Sequence, residues 1–259
     1  MLTPTQIAAF HEHGYVIVPG LLSADETRML SEIARQDESL LSRMTSRKDA
    51  QGAATKLSLD NSLGDDIYSA IVRSERLVRS MEALLGGEVY HYHHKVSAKQ
   101  PFEGGAWEWH QDYGYWYRNG CLFPYMASCY IAIDPATREN GCMQLIAGSH
   151  LMGRVDHGKS GDQTGADMER VNAALERLPL IYAEMDAGDG LFFHCNTLHR
   201  SDQNRSSHPR WGLICCYNAA RNDPYKPGPH PNYTPLSIVP DTEILKAGAR
   251  QLAEIAARV

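Results

Sequence analysis

GLFFHCNTLHRSDQNRSSHPRWGLICCYNA, residues 190–219, sets two short apolar runs, GLFFHC and RWGLICCYNA, on either side of a polar stretch. Short apolar runs bounded by turn residues read as strands. Four more lie upstream: EVYHYHHKVSAK (88–99), YMASCYIAI (125–133), CMQLIAG (142–148) and LPLIYAEM (178–185). Asn140-Gly141 and DAGDG (186–190) stand between them as expected hairpin turns. Helix signals precede the strands. TPTQIAAFHEHG (3–14) reads as a helix closed by Gly14, and the apolar burst YVIVPG (15–20) follows it. Ser23 stands three residues before Glu26, a capping box that starts a helix near Ala24. DDIYSAIVRSERLVRSMEALLG (65–86) reads as one helix stopped by Gly86 and Gly87. TEILKAGARQLAEIAARV (242–259) reads as an amphipathic helix packed on its own domain. The polar segment from Asp37 to Asn61 has neither period, and we expect a loop there, either a lid over a site or plain disorder. The pattern is mainly β with flanking helices, an antiparallel sandwich or double-sheet jelly roll.

The chain has 259 residues, 43% hydrophobic and 22% charged, with a formal net charge of −6. That length suits one domain, and the acidic balance argues against nucleic acid or an anionic membrane as partner. Six cysteines show no Cys-x-x-Cys spacing, so structural zinc and a disulfide framework are not expected. The N-terminus lacks a basic start with an apolar stretch behind it, and no run of about 18 apolar residues occurs. We expect a cytoplasmic protein. Gly-rich phosphate loops and Gly-x-Ser-x-Gly are absent.

The chemistry concentrates in WHQDYGYW (109–116). Side chains at i and i+2 of a strand share a face, so His110 and Asp112 can converge on one ion while Gln111 turns away. A third ligand is expected far along the chain, and His194, His199 and His208 are the candidates. Two imidazoles and a carboxylate form the face that holds non-haem Fe(II) and leaves positions open. A co-substrate carboxylate beside such an iron needs a fixed cation, for which arginine's planar fork is suited. Arg205 follows His194 by eleven residues and Arg210 follows His199 by eleven. Arg210 opens an apolar strand, whereas Arg205 sits in the turn-like QNRSSHP, which selects His199 with Arg210.

These residues, together with LTPTQIAAFHEHGYVIVPGLLSADE near the N-terminus and ENGCMQLIAGSH (139–150), resemble the phytanoyl-CoA dioxygenase family of Fe(II)- and 2-oxoglutarate-dependent oxygenases, including its small bacterial members such as ectoine hydroxylase. The resemblance runs to about residue 220. It implies a double-stranded β-helix (jelly-roll, cupin-like) core at about 88–220, a helical part at about 1–87 and a C-terminal extension with a helix at about 221–259, all one domain. It implies that His110, Asp112 and His199 bind iron, that Arg210 pairs with the far carboxylate of 2-oxoglutarate, that Ser201 supports it, and that Lys95 adds a further contact. Trp116 holds the place where a tryptophan lines the substrate pocket of ectoine hydroxylase. His150 falls in a hairpin the family uses for structure. Asp112 is retained, unlike in the family's halogenating relatives, so hydroxylation by O2 is the expected outcome.

Tyr115, Trp116 and Arg118 suit a small polar or zwitterionic substrate, an amino acid derivative or an aminophosphonate, with Arg118 against an anionic end; a surface cluster would look the same. His91, His93 and His94 carry no assigned role. Two other readings use the same residues: a zinc-dependent hydrolase, which leaves Arg210 without an occupant, and a non-catalytic jelly-roll sensor of small molecules. The sequence leaves the oligomeric state open.

Overall fold

The computed structural model describes residues 1–49, 51–160 and 163–258. Two helices near the N-terminus begin with the same device. In α1 (Pro4–His13) the Thr3 hydroxyl accepts the Gln6 N–H while the Gln6 side chain accepts the Thr3 N–H, and Gly14 ends the helix at φ 80°. Strand β1 (Tyr15–Val18) follows, and α2 (Ala24–Gln36) repeats the reciprocal cap with Ser23 and Glu26.

The stretch expected to be a loop is instead α3 (Glu38–Arg43), β2 (Thr45–Lys48) and β3 (Ala54–Asp60), with Ala50 between the strands outside the described residues. Its polarity misleads because β3 borders a cavity: Thr55, Leu57 and Leu59 line it, and Thr55 Oγ1 donates to Gly105 O at 2.8 Å. The expected single helix at 65–86 is two, α4 (Ile67–Arg73) and α5 (Glu75–Leu85). The break at Ser74 is tertiary in origin. Ser74 bridges to Val239, whose N–H donates to Arg73 O and whose carbonyl accepts the Glu75 N–H. No local pattern announces it.

The remaining strands are β4 (Val89–Lys99), β5 (Trp107–His110), β6 (Met126–Ala132), β7 (Met143–Ile146), β8 (His157–Ser160), β9 (Gln163–Ala166), β10 (Leu180–Ala183), β11 (Gly190–His194), β12 (His199–Ser201) and β13 (Arg210–Ala219). Between them lie α6 (Asp112–Trp116) and α7 (Met168–Leu175), and the last helix is α8 (Glu243–Ala256), with Val259 outside the described residues. An antiparallel sheet runs in the order β1-β11-β6-β13-β4-β3-β2 and faces a four-stranded antiparallel sheet β10-β7-β12-β5, with β8-β9 as a separate pair. Asn140-Gly141 and Asp186–Gly190 are turns but not hairpins: they carry the chain from β6 to β7 and from β10 to β11, each time across from one sheet to the other. This is the jelly-roll crossover.

Alternation along the large sheet separates two environments. Cys129 and Ile131 of β6, with Leu213, Cys215 and Tyr217 of β13, point to the helices and pack with Leu30, Ile71, Met81 and Ile244. The opposite parity faces the small sheet: Tyr130, Ala132, Leu191 and Phe193 pack against Met143 and Leu145. Helix α8 lies on α2 and α4, burying Ile244 and Ala247. All six cysteines are free and buried. No helix among the described residues is long and apolar enough to cross a membrane.

Candidate active site

His110 ends β5 and stands opposite His199 of β12 in the ladder of the small sheet. Asp112 does not continue the strand, as the sequence suggested; it is the first residue of α6, with extended Gln111 between (φ −113°, ψ 136°). Convergence survives because Gln111 points away and is pinned. Its buried carboxamide donates to Gly153 O (2.8 Å) and Asn196 O (2.7 Å) and accepts the Val155 N–H (2.7 Å). The Gln111 N–H donates to His157 Nε2 at 2.9 Å, and His157 Nδ1 donates to Val155 O at 2.7 Å. Gly114 admits that ring: a Cβ there would stand 2.4 Å from it.

One donor atom from each of His110, Asp112 and His199 lies within 4.8 Å of the others, and all three residues are buried. Asp112 Oδ1 is 3.8 Å from His110 Nε2 and 4.0 Å from His199 Nε2. Nδ1 of His110 donates to Glu108 O (2.7 Å) and Nδ1 of His199 to Thr197 O (2.9 Å), which fixes the tautomer that turns both Nε2 lone pairs inward. Burial pushes both imidazole pKa values down, against the pull of the Asp112 charge on His199. Ser128 Oγ donates to Asp112 Oδ2 at 3.1 Å and leaves Oδ1 for the centre. Two neutral nitrogens and a carboxylate oxygen facing one point make a cation site, and the donor set fits Fe(II).

The second feature is at the start of β13. Arg210 is buried, pairs with Lys99 of β4 in the ladder, and has Nε and Nη1 without a hydrogen-bond partner. Its guanidinium lies 5.6 Å from the centroid of the Tyr130 ring. Gly212 gives Tyr130 its room, since a Cβ there would stand 2.3 Å from the ring. Lys99 Nζ donates to Ser201 Oγ at 2.8 Å and to Asp202 O. Burial, and then the Arg210 charge, push the Lys99 pKa well down. The unpartnered Arg210 fork, with Lys99 and Ser201 beside it, forms a seat for a carboxylate.

The structure thus brings Arg210 and Ser201 together, but the lysine that meets Ser201 is Lys99. Lys95 lies on the same face of β4, farther along, opposite Ile214. The missed residue had a signal: with Arg210 opening one strand, its antiparallel partner is the residue that closes the other. The rejected candidates lie elsewhere. Arg205 is exposed, with its N–H on Glu139 O; His208 is exposed; His194 packs its ring against Phe10 and His150. His150 has Nε2 on His11 O and takes no part in the triad.

A cavity of about 480 Å³ joins these groups. Lys99, Arg210, Ser201 and Tyr130 line one end, and Lys95, His93, Trp116, Asn119 and His230 line the other. Along β4, at roughly 3.3 Å per residue, His93 lies about 20 Å from Lys99 and Lys95 about 13 Å. Tyr115 lies edge-on to His110 and donates its hydroxyl to Thr164 O at 2.6 Å. Trp116 is buried against Tyr92 and His93. Arg118 lines the cavity, with Nη2 donating to His157 O at 2.8 Å.

A family model described as phytanoyl-CoA dioxygenase (PhyH) matches residues 10–212, a span that holds the triad and Arg210. The chain belongs to that family. As a phytanoyl-CoA dioxygenase family member the protein is an oxygenase of the Fe(II)- and 2-oxoglutarate-dependent class, and the triad and the Arg210–Lys99 seat fit that pair. It is similar to L-proline trans-4-hydroxylase of Streptomyces griseoviridis, 35% identical over 179 residues, 63% of this chain and 67% of that one. It is also similar to ectoine dioxygenase of Stutzerimonas stutzeri strain A1501, 25% identical over 90% of this chain and 86% of that one. Among solved structures, EctD from S. alaskensis with 2-oxoglutarate and 5-hydroxyectoine superimposes with a TM-score of 0.79 at 22% identity, covering 93% of this chain and 89% of that one. At that identity the likeness speaks for the fold, which is the jelly roll the family is built on.

Proposed function

We propose that the protein hydroxylates a C–H bond of a small polar metabolite, with His110, Asp112 and His199 holding Fe(II) and with Arg210, Lys99 and Ser201 holding the far carboxylate of 2-oxoglutarate. The observation that carries this is the buried Arg210 fork, unpartnered at Nε and Nη1, in the same cavity as the triad. Iron, 2-oxoglutarate and O2 together supply the oxidant that converts C–H to C–OH, with release of succinate and carbon dioxide.

The chain supplies placement. The two Nδ1–H bonds and the Ser128 bond fix three donor atoms before any ion arrives, which lowers the reorganisation needed to bind it. Nε and Nη1 of Arg210 are buried without a partner, so a carboxylate that reaches the fork gains a charge-assisted pair. Tyr115, Trp116 and Phe193 line the cavity beside the triad with aromatic surface. Trp116, Tyr115 and Arg118 border the space left for substrate. L-Proline trans-4-hydroxylase and ectoine dioxygenase are named for small substrates, which supports a metabolite of that size here. A zinc hydrolase has no use for the Arg210–Lys99 seat, and a sensor has no use for a complete ligand set. A formal charge of −6 and six free buried cysteines support a cytoplasmic enzyme of a single domain that has no nucleic-acid partner.

The test is anaerobic titration of the apo-protein with Fe(II) and 2-oxoglutarate, following the weak visible charge-transfer band of the chelate. Wild type should give the band, and Arg210→Ala should need on the order of 10–100 times more 2-oxoglutarate to reach it, the loss of about 2–3 kcal/mol for a charge-assisted pair. A band of equal affinity in both proteins removes Arg210 from the role; bound metal without a band in either returns the hydrolase reading.

A further inference from the structure

At the end of the cavity remote from Arg210 stands a histidine that the chain leaves unsatisfied. His93 is 2% exposed, and neither Nδ1 nor Nε2 has a hydrogen-bond partner. Every other buried histidine among the described residues has one: His91 and His94 bond each other, and His110, His157 and His199 each donate to a backbone carbonyl. The His93 ring is nevertheless fixed. Trp116 meets it edge-on at 5.7 Å between centroids, and His230 lies against it at 4.4 Å, held from behind by Asn61 Oδ1 at 2.7 Å from its Nδ1. A clamped, buried imidazole with no hydrogen-bond partner on either nitrogen leaves a donor for a ligand in the cavity to satisfy.

Lys95 lies two residues along β4, on the same face of the strand, and lines the same cavity. It has no acidic partner among the described residues, and its charge reaches His93 on one side and both histidines of the triad on the other. Burial and that charge keep His93 neutral, so one ring nitrogen donates and the other accepts. Arg118, the cation expected to meet an anionic end, already donates to His157 O.

We infer that the substrate is a small carboxylic acid, of the size of an amino or imino acid, whose carboxylate accepts from Lys95 and from the single N–H of His93. This rests on the reading of the triad as an Fe(II) and 2-oxoglutarate centre and names the class of molecule oxidised there. A neutral imidazole beside an ammonium distinguishes such an acid from its amide, because the amide carries no charge for Lys95 to pair.

The experiment uses anaerobic enzyme loaded with Fe(II) and 2-oxoglutarate. The proteinogenic L-amino acids, L-proline among them, are titrated while the visible band is followed, and each acid that shifts it is compared with its primary amide. We expect at least one acid to shift the band and its amide to bind tenfold or more weakly. In variants that form the band, His93→Phe and Lys95→Met should each raise the Kd of that acid at least tenfold, and His93→Gln, which keeps a donor and an acceptor, should recover most of the loss. Equal binding of acid and amide, wild-type affinity in His93→Phe and Lys95→Met, or a band that no acid shifts overturns the inference. A band that never forms overturns the cofactor reading instead.

Discussion

Ser128 is the residue whose effect on the metal is easiest to isolate. It touches no ion site, yet its hydroxyl holds Asp112 Oδ2 and so decides which carboxylate oxygen faces the histidines. Ser128→Ala should weaken Fe(II) binding on the order of 10–100-fold while the fold persists, as removal of a hydrogen bond behind a ligand does elsewhere; competition with a chromophoric chelator checks it. At this scale the sequence was readable where spacing and neighbours spoke together. Arg210 was separable from Arg205 because one opens an apolar strand and the other lies among turn residues. Lys99 has no mark of its own in the sequence, because its place beside Arg210 follows from the register of β4 with β13, which is a property of two strands. His93 looked like an oddity because an unsatisfied nitrogen is visible only when its surroundings are known.

Among the elements, the β2–β3 hairpin stands where a loop, lid or disordered, was expected. Its connection is tied down by Asp49: Oδ1 accepts the N–H groups of Gln51 and Ala53, and Oδ2 accepts from Ala106 N–H and Gln203 Nε2. Burial alone would raise the Asp49 pKa, but these bonds outweigh it and the net shift is downward. Asp49→Ala should destabilise the protein by about 2–3 kcal/mol, read as a lowered denaturation midpoint. Limited proteolysis within residues 45–60 of wild type should proceed equally with and without Fe(II) and 2-oxoglutarate, since the strands belong to the large sheet; strong protection by ligands would restore the lid. Helices α1 and α2 were legible to the residue because their caps are local. The break between α4 and α5 was not, because the segment that imposes it arrives from residue 239.

For the molecule as a whole, largely buried histidines away from the triad contribute to its response to acid. Burial lowers His91 to about 3, with the His94 charge acting the same way, and lowers His194 to about 4. Unfolded, each takes a proton below about 6.5. Their stabilisation is therefore complete above that value and is lost as pH falls toward the folded values, on the order of 1–2 kcal/mol each by pH 5. Thermal unfolding at pH 7 and pH 5 should show a lower midpoint at pH 5, and His194→Gln should narrow the gap between them; an unchanged gap would count against the buried neutral ring.

The two facing sheets share the work unequally. All three candidate ligands come from the small sheet and the helix turn that leaves it, whereas Lys99, Lys95 and His93 occupy successive stations on one strand of the large sheet. Substitutions along that strand can therefore retune which molecule is oxidised while the ligands keep their geometry. A lineage carrying this fold can acquire new substrates without first losing its chemistry, and a library confined to positions 93 and 95, with His230 above them, is where such a change of diet would be selected.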